Sequence, residues 1–216
     1  MGTCNFKAAT DNDSVEFINI SHFSKKWAIG RGGFGKVWRC DSKKELKQEY
    51  AMKEMAKARI ISKKSVQSVM SELKLLAVIQ SDFIVNVHYA FQDRENLYLI
   101  MDLLLGGDAR YHIAKRRKFN EKITQFFVAC LIQALEGVHN QNIIHRDIKP
   151  ENLVFDNIGY LRLTDFGVAR IMTENNANET SGTPGYMAPE VLCRYNHGQT
   201  ADYFAVGVIA YECMMG

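Results

Sequence analysis

His145-Arg146-Asp147-Ile148-Lys149-Pro150-Glu151-Asn152, followed a few residues on by Asp165-Phe166-Gly167, is the stretch on which the reading of this chain turns. The two runs are joined by Leu153-Val154-Phe155 and Leu161-Arg162-Leu163, short apolar segments that read as a β-hairpin turning at Asn157-Ile158-Gly159. A hairpin of that kind sets two acidic residues, a lysine and an asparagine on neighbouring short segments. Such a set offers oxygen ligands for a hard divalent cation beside a carboxylate able to accept a proton.

Upstream, Trp27-Ala28-Ile29 runs into Gly30-Arg31-Gly32-Gly33-Phe34-Gly35-Lys36-Val37. Dinucleotide-binding folds share the GxGxxG spacing but place a helix directly after it. Here Lys36 to Cys40 reads as a strand, so the glycines form a hairpin whose bare backbone can approach phosphate oxygens closely. A plain flexible turn is the competing reading. Lys53, in Tyr50-Ala51-Met52-Lys53, sits on a second strand. Lys63 to Ile79 carries apolar residues at helical spacing, with Glu72 nineteen positions after Lys53. Phe83 to Phe91 alternates as a half-buried strand, and Asp93 to Asn96 turns the chain into the apolar strand Leu97 to Met101. The charge run Lys115 to Lys118 reads as a solvated helix end. Asn120 then caps a long amphipathic helix through Val138.

The 216 residues suit one large domain or two small lobes, and 47% hydrophobic residues suffice for a core. A net charge of +3 gives no footprint for nucleic acid. Five scattered cysteines without CxxC spacing argue against disulfides and zinc, and for a reducing compartment. No apolar run reaches transmembrane length and no secretory leader is visible. The expectation is a cytoplasmic protein. Gly2 after Met1 offers an acceptor for myristate, with Cys4 for a second acyl chain, and would give weak membrane association. An ordinary disordered start is the alternative, because Phe6 stands where the acylation pattern wants Ser or Thr.

Taken together, the glycine hairpin, Lys53, Glu72, the run from His145 to Asn152, Asp165-Phe166-Gly167 and Ala188-Pro189-Glu190 resemble a eukaryotic-type Ser/Thr protein kinase. The resemblance covers residues 23 to 216 and is closest to the cyclic-nucleotide-dependent (AGC) kinases. Within that group, Asp102-Leu103-Leu104-Leu105-Gly106-Gly107-Asp108 and Arg110-Tyr111-His112 look like the YANK-type branch; calcium/calmodulin-type kinases share many features. The resemblance implies an α+β, bilobal protein-kinase fold with ATP and Mg²⁺ as cofactors and a protein substrate. A flexible segment 1–22 precedes a β-rich N-lobe with one helix over 23–103, and a helical C-lobe over 104–216 that lacks its last helices.

The same resemblance assigns roles. Asp147 would accept or orient the proton of the attacking hydroxyl, and Lys149 would offset charge on the transferred group. Asn152 and Asp165 would bind Mg²⁺. Lys53 would grip the α- and β-phosphates and be held by Glu72, the bland alternative being that Glu72 is a solvated helix charge. Gly30, Gly32, Gly33, Gly35, Val37, Ala51 and Val154 would surround the nucleotide, with Met101 at the back of its pocket. The backbone of Asp102 and Leu104 would pair with adenine, and Asp108 would reach ribose or a basic substrate residue.

Thr173 to Gly182 reads as a mobile activation segment, in which Arg146, helped by Arg170, needs an anion. Glu179 stands where related kinases carry a phosphothreonine, with Thr180 beside it. Thr183 and Pro184 fit the peptide shelf of Ser/Thr kinases. Asp108, Glu151 and Glu212 fall where basic-directed members carry acids, so Arg or Lys two to three residues upstream of the target is expected. A helix from Tyr203 to Met215, apolar nearly all round, reads as interior. Relatives continue past this point and supply an arginine for Glu190; the chain reads as C-terminally truncated. The rival reading, from another class, is a catalytically weak ATP-binding regulatory module.

Overall fold

The protein, seen in a computed structural model, is described at residues 4–5, 18–45 and 48–216. The readings placed on Gly2 and on the side chain of Cys4, and most of segment 1–22, lie outside the described residues. The class is α+β, as expected. Two compact units divide the chain: Met1–Val69 with Asn86–Leu103, and Met70–Val85 with Leu104–Gly216.

The first unit is an antiparallel sheet of β1 (Cys4–Asn5), β2 (Phe23–Arg31), β3 (Gly35–Ser42), β4 (Glu49–Ala56), β5 (Val87–Gln92) and β6 (Asn96–Met101). Their order is β1-β5-β6-β4-β3-β2. Alternation along the strands sorts the side chains. Cys40, Tyr50, Met52, Tyr98 and Ile100 fall on one face, where with Phe23 and Phe91 they form a buried core. Phe91 stacks between Phe23 at 5.8 Å and Tyr98 at 5.1 Å. Burying each of these large side chains contributes about 1.5–3 kcal/mol. Ile18 and Ile20 pack on the same core, so the chain joins this unit before Phe23.

One helix was expected here, and the structure adds a short one. α1 (Lys57–Ser62) ends at Lys63, Lys64 turns the chain at φ +52, and α2 (Val66–Val78) begins at the first apolar residue of the expected run Lys63 to Ile79. The expected strand Phe83 to Phe91 also divides. Only Val87–Gln92 is strand β5; before it, Ile84 bridges Leu163 and the Val85 amide donates to the Leu163 carbonyl at 3.0 Å, within the second unit. Alternation over the whole stretch serves two different partners, which periodicity cannot distinguish.

The second unit contains α3 (Ala109–Arg116), α4 (Glu121–His139), β7 (Ile143–Ile144), β8 (Leu153–Phe155), β9 (Leu161–Leu163), β10 (Arg170–Ile171), α5 (Pro189–Leu192) and α6 (Thr200–Met215). The Asn120 side chain accepts from the Ile123 amide at 2.9 Å, the expected N-cap. Lys115 to Lys118 are exposed, as a solvated helix end should be. The hairpin β8–β9 forms in the expected register, Leu153 opposite Leu163, and α4 lies against β9 and α6. α6 is not interior all round. Ala201, Ala205, Val206, Ile209 and Cys213 are buried, while Tyr203, Phe204, Tyr211, Met214 and Met215 are exposed. Among the described residues no helix is long and apolar enough to cross a membrane.

Candidate active site

The loop after β7 is held from below by one carboxylate. Asp202, in the first turn of α6 and 2% exposed, accepts from the amides of His145 at 2.9 Å and Arg146 at 2.8 Å. It also contacts the His139 ring at 2.8 Å. The His145 ring is buried and stands 4.9 Å edge-on to Phe166; burial holds its imidazole below the ordinary histidine value against the pull of Asp202. So fixed, the loop turns at Arg146 with φ +70.

The turn delivers Asp147 into a ring of polar partners. Lys149 Nζ is 2.7 Å from one of its carboxylate oxygens, and the Thr183 hydroxyl donates to the other at 2.7 Å. Lys149 also donates to Thr183 at 2.9 Å. Burial pushes the Asp147 carboxyl up, but the hydrogen bonds from Lys149 and Thr183 outweigh it, so the group lies below the usual aspartate value. Asp147 is therefore ionised at neutral pH and already oriented on a hydroxyl. Gly182 allows this approach: its φ is +127, and a Cβ there would lie 2.4 Å from the Arg146 carbonyl oxygen.

Asn152 Nδ2 donates to the Asp147 carbonyl at 2.8 Å and to its carboxylate at 3.1 Å. The amide oxygen of Asn152 is then the atom left to meet a cation. The Asn152 carbonyl accepts from the Thr164 amide at 2.9 Å and its hydroxyl at 3.1 Å, which brings in Asp165 as the next residue. Asp165 has φ +62 and an exposed side chain. Among the described residues no three His, Cys, Asp or Glu side chains are grouped to hold a metal. One amide oxygen and one carboxylate fit Mg²⁺, which keeps waters and phosphate oxygens as its other ligands.

Arg146 Nε donates to the Val168 carbonyl at 2.8 Å and NH1 meets Glu179 Oε2 at 2.8 Å. The Arg146 hydrogen bond and charge, with a smaller contribution from Arg170, hold the Glu179 carboxyl below its ordinary value. The segment around it is more tied down than its composition suggests. Asn176 is buried, takes the Asn196 side chain on its amide at 2.8 Å, and donates to the His197 carbonyl at 3.0 Å.

In the first unit, Val37 is opposite Lys53, Lys53 opposite Leu99, and Ala51 opposite Met101. Register and pleat put Val37, Ala51, Lys53 and Met101 on one sheet face, away from the aromatic core. Gly30 pairs with Val37, and the Gly32 amide closes the glycine hairpin on the Gly35 carbonyl at 3.0 Å. Lys63 Nζ donates to the Gly33 carbonyl at 3.0 Å. A Cβ at Gly35 would come 1.8 Å from the Glu54 carbonyl oxygen, so only glycine fits. The Asp102 amide is committed to the Asn86 carbonyl at 3.1 Å, and its carboxylate to the Asn86 side chain at 3.0 Å and His88 at 2.7 Å.

In the second unit, Glu72 is buried on α2, which disposes of the solvated-charge alternative. Asp108 and Val154 form a backbone bridge, and the Asp108 carboxylate caps α3 through the Tyr111 amide at 2.7 Å. Gly106 and Phe155 are likewise bonded at 3.0 Å, two residues from Leu104. Sequence reasoning missed the partner of two acids. Arg110 donates to Glu151 at 2.9 Å, and also bonds Glu212 and the Tyr186 hydroxyl. Its partners lie 41 and 102 positions away in the chain, so no local signal announces it.

Residues 23–216 match the protein kinase domain family. The chain is 44% identical to a probable serine/threonine-protein kinase of Dictyostelium discoideum over 92% of its own length and 44% of the relative's. It is 40% identical to serine/threonine-protein kinase 32C of Mus musculus, over 94% of this chain and 43% of that one. It is 39% identical to the cAMP-dependent protein kinase catalytic subunit of Dictyostelium discoideum, over 91% of this chain and 30% of that one. The chain thus spans less than half the length of these curated relatives.

Proposed function

The chain belongs to the protein kinase domain family, and from that premise we propose that it transfers the γ-phosphoryl group of ATP to serine or threonine hydroxyls of protein substrates. The observation that carries this reading is the Asp147 carboxylate bonded at 2.7 Å to both the Lys149 ammonium and the Thr183 hydroxyl. Asp147 would orient the incoming hydroxyl and take its proton. Lys149 would offset the charge that gathers on the phosphoryl oxygens. Mg²⁺, held by Asn152 and Asp165, would supply charge neutralisation for the phosphates.

Within the first unit, Gly30, Gly32, Gly33, Gly35, Val37, Ala51, Lys53, Met101 and Asp102 are the proposed nucleotide contacts. Within the second, Leu104, Asp108 and Val154 have that role, and Glu72 is the proposed orienting acid. The Asp108 carboxylate would meet ribose with the oxygen not used in capping α3. A cytoplasmic location is the proposed one, supported by scattered cysteines that suit a reducing compartment, and acylation at Gly2 would add weak membrane attachment.

The test is phosphate transfer from labelled ATP to serine, threonine and tyrosine peptides, with Mg²⁺ present or chelated. Mg²⁺-dependent labelling of serine or threonine alone is expected. ATP binding by thermal shift without transfer to any peptide would select the rival regulatory module.

A further inference from the structure

Glu151 and Glu212 form with Tyr186 a built guanidinium site, and its occupant is a residue of the same chain. Every arm of Arg110 is used: Nε on Glu151 at 2.9 Å, NH1 on Glu212, NH2 on the Tyr186 hydroxyl and, at 3.4 Å, on Glu212. Tyr186 in turn donates to Glu212 at 2.7 Å. The hydrogen bond to Glu212 raises the Arg110 guanidinium beyond its ordinary value, and burial with the Glu212 bond pushes the Tyr186 phenol up to about 12. The cluster is bound to the transfer loop on two sides. Glu151 directly precedes Asn152, and Tyr186 follows by three residues the Thr183 that touches Asp147. Glu151 is 46% exposed, so this face is within reach of a peptide.

We propose that Arg110 sets substrate choice by filling this site from within, so that a substrate arginine or lysine finds the two acids already engaged. The inference rests on the kinase reading, and replaces the expectation that Glu151 and Glu212 favour basic residues upstream of the target. Displacing Arg110 would break charge-assisted bonds to two carboxylates, which a substrate cation regains without net advantage. A merely structural tie between α3 and α6 would not alter which peptide is bound, so peptide discrimination separates the two roles.

Two serine peptides, one with arginine two and three residues before the serine and one with alanine there, are titrated calorimetrically against the wild type and Arg110→Ala. Phosphate transfer to each is followed on the same preparations. The wild type should bind both within about twofold, and the variant should favour the arginine peptide by about tenfold as the two acids are released. A wild type that already favours the arginine peptide tenfold overturns the proposal. So does a folded variant that gains no preference. Should Arg110→Ala lose its cooperative melt, Arg110→Gln, which keeps the stem and a hydrogen bond, takes its place with the same expected shift. If the binding ratios come out as expected while neither peptide is phosphorylated, the subsite stands and the transferase reading fails.

Discussion

Glu179 meets Arg146 at 2.8 Å on an exposed stretch where its neighbours are polar and uncharged. A carboxylate delivers one negative charge where a phosphate would deliver up to two, so on the proposed reading it would order the segment only in part. Glu179→Ala should lower kcat about three- to tenfold with little change in melting temperature, since the Glu179 end of the pair is exposed and the buried Arg146 side chain keeps its bonds to the Val168 carbonyl. Steady-state kinetics with Thr180 verified unmodified checks this; unchanged kcat would show that the pair is ornamental. Asp147, Lys149 and Asn152 were legible in the sequence because one short loop holds them all. Their mutual bonds follow from that closeness. Thr183 on Asp147 and Arg110 on Glu151 were not, because each contact closes a long loop and the spacing says nothing of it.

Elements were legible where a single partner explains the pattern. The Asn120 cap, the β8–β9 hairpin and strands β3, β4 and β6 follow from short apolar runs and the turn and cap residues that bound them. The reading failed where one run serves two structures, as at residues 83 to 91, and it did not find α1, a six-residue helix that buries Ile60 alone. The start of α6 matters most for the site, since Asp202 satisfies two loop amides and meets His139. Asp202→Ala leaves those buried groups unpaired, at about 1–3 kcal/mol each. For the two amides alone, denaturant melts should therefore show a loss of about 2–6 kcal/mol; a change below 1 kcal/mol would mean that water replaces the carboxylate. In the first unit, Gly35→Ala should force β3 away from the Glu54 carbonyl and weaken ATP binding by tenfold or so, read by calorimetry.

At the scale of the molecule, acid sensitivity follows from the shifted groups. His145 lies below its ordinary 6.5 in the folded protein, so the unfolded chain binds the extra proton and stability falls as pH drops below that value. Asp102, Asp147 and Glu212 are also depressed; their contribution is present above 3.8 for the aspartates and 4.5 for the glutamate, and is lost as pH falls through the folded values. Melting temperature should be level near pH 7, decline gently below 6.5, and fall steeply below about 4.5. A profile level down to pH 4 would mean that the burial of His145 costs nothing on protonation. The α+β class and the kinase resemblance were legible from motifs alone. The most direct test of the whole account is the rate of phosphate transfer to a serine peptide by Asp147→Asn, with its melt unchanged from wild type. The account expects kcat to fall by about 10²–10⁴, and transfer at the wild-type rate would contradict it.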